Sequence, residues 1–238
     1  MSMYDGAVPV QRTADVAGLE HKVLDFMRRA YGWMAAGLLI TAMTSAVVVS
    51  SPALLATVVR TPFLFWGLFI AQLGIVLVLS GRVQKLASAT AAMLFVAYSV
   101  LTGVTLSVIV LLYTRESIAT TFLVTSVMFG AMAMWGTVTR RDLTGFGQFL
   151  FMGLIGVVIA SVVNIFMHSD GVAFVTSFIG VIVFTGLAAY DAQRLKMMAV
   201  ATPAGQEGSY AIVGALALYL DFINLFLMLL RLFGSRRD

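Results

Sequence analysis

The 238-residue chain is 61% hydrophobic and only 11% charged, with a mean hydropathy of +0.99, whereas a soluble domain needs about 25% charged residues to cover its surface. This excludes a water-soluble globule and predicts a polytopic membrane protein with no room for a separate soluble domain. The net charge of +4 is no nucleic-acid signal in such a chain, where the placement of basic residues matters more than their sum. With no cysteine, disulfides, thiolate metal sites and cysteine nucleophiles are excluded as well.

In chain order, residues 1–32 come first as a polar N-terminal segment without an apolar core or cleavage site, so the first span is expected to act as an uncleaved insertion signal. Within it Leu19, Val23, Phe26, Met27 and Tyr31 recur at helical spacing between Lys22, Arg28 and Arg29. This reads either as a short amphipathic helix lying on the inner leaflet or as a basic flank that fixes orientation. A helix crossing the hydrocarbon needs about 20 mostly apolar residues. Such stretches run over 33–50, 62–80, 87–113, 117–139, 149–167, 172–190 and 211–230. The first six contain no charged residue and the seventh only Asp221. The expectation is an all-α, seven-helix membrane domain over 33–233, followed by a short tail, 234–238. The longest polar connection, Met197–Ser209 with Pro203, Gly205 and Gly208, reads as a mobile loop.

Alternate connections divide the basic residues unequally. Ten fall on the side of the N-terminus, in the first segment and in the pairs Arg82/Lys85, Arg140/Arg141 and Arg194/Lys196. Five fall on the other side, Arg60, Arg115, Arg231, Arg236 and Arg237. The bias places the N-terminus in the cytoplasm and the C-terminus outside.

Of eleven acidic residues only Asp191 and Asp221 belong to apolar helices, one at the inner end of the sixth span and one midway along the seventh. An ionisable group inside a membrane is a functional candidate by default, since insertion alone costs roughly 2.5–3.5 kcal/mol at a helix centre. On the seventh span Gly214, Ala217, Asp221 and Asn224 follow at offsets of three or four, a small-and-polar stripe that directs Asp221 at another helix. The sixth and seventh helices are consecutive and antiparallel, which makes Asp191 the natural partner. Two carboxyls in contact cannot both ionise cheaply, so one proton is shared. The pair is then a latch, bonded when protonated and repelling when both groups are charged. In the charged state it suits a hard cation such as Ca²⁺, held weakly. Two plainer readings stand beside this one. Asp191 is able to form a helix-end ion pair with Arg194, and Asp221 to serve as a structural polar anchor.

The phrases FTGLAAYDAQRLK and GALALYLDFINLFLMLLRLFG closely resemble the Bax inhibitor-1 (transmembrane Bax-inhibitor-motif) family. YGWMAAGLL, TGVTLS and RRDLTGFGQFLFMGLIGVVIASVVNIF add to the resemblance, which runs from Tyr31 to Gly234 and is greatest to the bacterial inner-membrane branch. It implies a seven-helix bundle with the last helix central. It also implies a pH-sensitive calcium leak governed by aspartates at the positions of Asp191 and Asp221. An arginine at the inner end of the second helix closes the pore in that family, and Arg82 is the nearest match. The chain lacks the lysine-rich tail of animal and plant members, so partners tied to that tail are not expected.

The leading expectation is therefore a passive, proton-gated cation leak in a bacterial inner membrane, with lipid, Ca²⁺ and protons as partners and no cofactor. The resemblance also implies an alternative, since some bacterial members of that family restrain a membrane-bound ATP-dependent protease: a regulator whose polar first 30 residues contact such a partner. Paired aspartates on consecutive helices also define intramembrane aspartyl proteases. Those enzymes need a glycine motif before the second aspartate, where this chain has Leu218, Tyr219 and Leu220, and no Pro-Ala-Leu motif follows. An enzyme is not expected.

Overall fold

A computed structural model describes residues 8–237, with side chains from Gly18 onward apart from Pro62 and Phe65. The first seven residues of the N-terminal segment, the side chain of Arg12 and Asp238 of the tail lie outside the described residues. Eight α-helices follow one another: α1 Val8–Ser50, α2 Pro52–Arg60, α3 Pro62–Gly81, α4 Ser88–Leu112, α5 Arg115–Val138, α6 Thr144–Met167, α7 Asp170–Ala201 and α8 Glu207–Phe233. Six of these, all but α2 and α3, are long and apolar enough to cross a membrane; the described apolar run of α3, Trp66–Gly81, is shorter. Each of the seven apolar stretches of the sequence lies along its own helix, so the protein is an all-α, multi-pass membrane protein.

The breaks follow from local chemistry. Proline drives the residue before it out of the helical region. Ser51 before Pro52 (φ −107°, ψ 106°) and Thr61 before Pro62 (φ −115°, ψ 86°) therefore isolate the short helix α2. Thr114 caps α5 by accepting from the Ser117 amide at 3.2 Å, and Ser169 caps α7 through the Val172 amide at 3.4 Å. At the start of α6 the exposed Asp142 accepts from both the amide and the hydroxyl of Thr144, at 2.9 and 2.6 Å. Those two bonds hold its carboxyl below the usual carboxylate range.

The last helix is the axle of the bundle. α8 packs against α1, α3, α4, α5 and α7. Within its most apolar window 67% of residues are buried, against 11% for α6 at the rim. Close approach to α8 and its neighbours depends on small residues in α7, where Ala188, Ala189 and Ala192 are fully buried. A β-carbon at Gly136 of α5 would fall on the Ala189 backbone. Only glycine lets α5 lie this close to α7.

Two local expectations change, and the tail gains detail. Leu19–Tyr31 does not lie apart as a surface helix, because it belongs to α1 and buries Phe26, Met27 and Ala30 in the core cluster of α5, α7 and α8. Met197–Ser209 is not a long mobile loop. α7 runs on to Ala201, α8 begins at Glu207, and Lys22 Nζ donates to the Thr202 carbonyl at 3.3 Å between them. The tail beyond Gly234 is stitched down: Arg236 pairs with Tyr113 in an antiparallel bridge, and Thr114 donates to the Ser235 carbonyl at 3.0 Å.

Candidate functional site

Asp221 is the fifteenth residue of the 27-residue α8 and therefore lies near its midpoint. Asp191 is not at the end of its helix, as the apolar stretch alone indicated. α7 continues ten residues past it, about 15 Å at 1.5 Å per residue. Because α7 and α8 run antiparallel, this longer helix carries Asp191 down to the level of Asp221. The two carboxyl groups are neighbours across the α7–α8 interface and feel each other's charge.

Both line one cavity of about 650 Å³, shared by α3, α6, α7 and α8. The small-and-polar stripe divides by function of space. Ala217, Asp221 and Asn224 face the cavity, whereas Gly214 is buried one turn away where a β-carbon would strike Leu195 of α7. Gly214 thus sets the distance between the helices that carry the acids. Asp221 is 5% exposed, and its Oδ2 is buried with no hydrogen-bond partner. A buried carboxylate oxygen left unsatisfied costs about 1–3 kcal/mol or more. Such a cost at a group already expensive to insert makes Asp221 the candidate site residue of α8. Asn224 Nδ2 donates back to the Leu220 carbonyl at 2.8 Å.

The cation at this cavity is Arg194. Its Nη1 stands 4.0 Å from Asp191 Oδ1, a charge contact too long for a hydrogen bond, with the guanidinium 58% exposed and the carboxylate 15%. Arg82 is elsewhere. It caps the C-terminus of α3 through its own backbone, its side chain is exposed, and it does not line the cavity. Ser80, two residues earlier, does. Among the described residues Arg82 makes no ion pair with either acid.

Sequence reasoning missed several groups. Gln148 from the first turns of α6 and Tyr190 beside Asp191 also line the cavity. On the opposite side of α8, the Tyr219 hydroxyl meets Thr41 Oγ1 at 2.6 Å, and Thr41 also donates to the Ser99 carbonyl at 2.9 Å. Phe95 and Tyr98 pack edge-on against the Tyr219 ring, with centroids 5.8 and 5.7 Å away. This clamp ties α8 to α1 and α4 and fixes the rotation that turns Asp221, two residues on, toward α7. Hydroxyls in otherwise charge-free spans were the available signal, and hydropathy alone hides them.

Comparison with known proteins identifies the family. The family model described as inhibitor of apoptosis-promoting Bax1 matches residues 23–238. The chain belongs to the Bax inhibitor family. This family member is 51% identical over 215 residues to the inner membrane protein YbhL of Escherichia coli K12, covering 89% of this chain and 92% of that one. It is also 43% identical over 215 residues to a protein of Borreliella burgdorferi, covering 90% of this chain and 93% of the relative. With a protein of Deinococcus radiodurans it shares 40% identity over 240 residues, covering 100% of this chain and 99% of the other. The alignments with all three take in most of the helical bundle, so the bundle is the unit these proteins share.

Proposed function

We propose that this Bax inhibitor family protein is a passive cation leak, selective for hard cations such as Ca²⁺, in which the Asp191–Asp221 pair is both the ion site and the pH sensor. One observation carries the reading: two membrane acids share a 650 Å³ cavity, and one of them, Asp221, holds an oxygen without a partner. When one proton is shared the carboxyls attract and α7 and α8 stay closed. Loss of that proton leaves two anions a few ångströms apart in a partly wet cavity, and a divalent cation relieves their repulsion. Ca²⁺ takes 6–8 oxygen ligands. The two carboxylates, the Asn224, Gln148 and Ser80 side chains and water provide that chemistry.

The latch cation in this reading is Arg194, already beside Asp191, while Arg82 is exposed at the C-cap of α3 and does not line the cavity. The inner-membrane location of YbhL and the ten-to-five basic bias support a bacterial inner-membrane setting with a cytoplasmic N-terminus.

The test is Ca²⁺ flux into liposomes holding purified protein, scanned from pH 6 to pH 8. Flux rising with pH and lost in Asp221→Asn supports the reading. Flux that is the same in that variant and in the parent protein removes the acid pair from the pathway.

A further inference from the structure

α8 presents a second face, turned away from the acids, where Phe222 floors a groove of about 520 Å³ between α1 and α5. These two helices flank α8 without packing closely on one another. Met34 and Leu38 of α1 form one wall, and Phe129, Gly130 and Ala133 of α5 the other. The groove runs along α1 from Met27 to Leu38, eleven residues or about 16 Å at 1.5 Å per residue. That is the depth of one leaflet, half of a hydrocarbon core of about 30 Å.

Its mouth is basic. Arg28 follows Met27 at the rim, and Arg140 and Arg141 follow the last turn of α5, where Thr137 and Val138 close the lining. All three arginines are exposed, and among the described residues none pairs with a carboxylate. Two acids stand close by. Asp142, kept charged by its bonds to Thr144, follows Arg141 directly, and Asp25 lies three residues before Arg28 on the same side of α1, so together they offset part of the basic charge. A leaflet-deep apolar slot with an excess of guanidinium over carboxylate groups at its mouth matches an acyl chain carrying a phosphate.

We propose that this groove is a specific site for one anionic phospholipid of the leaflet at the N-terminal end of the bundle, its acyl chain against Phe222 and its phosphate held by Arg28, Arg140 and Arg141. Guanidinium groups suit phosphate because they bond two oxygens at once. The site is distinct from the acid cavity, on the other side of the same helix.

Native mass spectrometry of the full chain, offered phosphatidylglycerol or phosphatidylcholine at equal concentration, tests it. The expected result is one phosphatidylglycerol retained per chain in clear preference to phosphatidylcholine. Gly130→Leu should abolish retention of both, because a β-carbon there meets nothing within 4 Å and the side chain fills only the groove. Gly74→Leu, equally open but on α3, should retain lipid as the parent does. A triple Arg28→Gln, Arg140→Gln, Arg141→Gln variant should lose the preference, by roughly fivefold for each arginine near the surface. Equal retention of the two lipids by the parent, or of phosphatidylglycerol by Gly130→Leu and the parent, overturns the proposal. So does a two-chain species that retains no lipid and that Gly130→Leu dissociates, which would make a second copy the occupant.

Discussion

Replacing Asp221 by leucine separates a functional acid from a structural one. The substitution removes a carboxyl that costs roughly 2.5–3.5 kcal/mol to place at a membrane helix centre. The bond to Asp191 through the shared proton is lost in exchange, whereas Oδ2 has no hydrogen-bond partner to lose and Asp191 keeps Arg194 within 4.0 Å. The added methyl groups have room in the 650 Å³ cavity, so overpacking is not expected. Part of the insertion cost is also present in the unfolded, inserted chain, so the gain on folding is a fraction of it. Replacing a whole buried ion pair by apolar groups is often neutral or stabilising. Here one acid of the pair goes and takes a bond of about 1 kcal/mol with it, which the relieved insertion cost offsets. An unfolding free energy within about 1 kcal/mol of the parent is therefore expected. The assay is unfolding by sodium dodecyl sulfate in mixed micelles, followed by far-ultraviolet circular dichroism, beside Ca²⁺ flux on the same preparation. Stability kept with flux lost is the predicted outcome. A loss of about 2 kcal/mol or more would show that Asp221 anchors the bundle through bonds like those of other buried polar groups, and would refute the argument.

Arg194→Ala should raise resting Ca²⁺ flux and flatten its pH dependence, whereas Arg82→Ala should do neither; the reverse ranking in the liposome assay would restore Arg82 as the latch. Tyr219→Phe removes the hydroxyl bonded to Thr41, and a polar contact of this kind inside a membrane contributes about 0.6 kcal/mol and at most about 1.7. Stability should therefore fall only within that range in the micelle assay, while Asp221 loses its fixed orientation and Ca²⁺ affinity drops more than stability does. A reporter fused after the tail should be active outside the cytoplasm and one inserted at Gly205 inside it, and the opposite pattern would overturn the charge-based orientation.

Composition and charge-free stretches were enough to read an all-α membrane bundle with seven apolar helices, because insertion into hydrocarbon leaves a strong one-dimensional mark. Helix ends were less legible. α7 runs past Asp191 to Ala201 because Ala192, Leu195 and Ala199 continue its buried face through the charged Arg194 and Lys196, and a rule that stops at the first charge misses this. In α1 the same rule split a continuous helix at Trp33, although Phe26, Met27 and Ala30 already face the core. The two acids stood out because charge is so rare in these helices. Their neighbourhood did not, since which side chains share a cavity depends on helix rotation. That rotation is set by contacts far apart in sequence, such as Thr41 with Tyr219 and Gly136 with Ala189.

The central claim is that Ca²⁺ and one shared proton compete for the Asp191–Asp221 pair, and the most direct measurement is Ca²⁺ affinity by titration calorimetry from pH 6 to pH 8, with proton release read from buffers of different ionisation enthalpy. If each bound ion displaces the shared proton, affinity should rise with pH by up to about tenfold per unit, with close to one proton released per ion at the acid end. Asp221→Asn should abolish both. An affinity that is flat with pH, or proton release that persists in Asp221→Asn, would contradict the account.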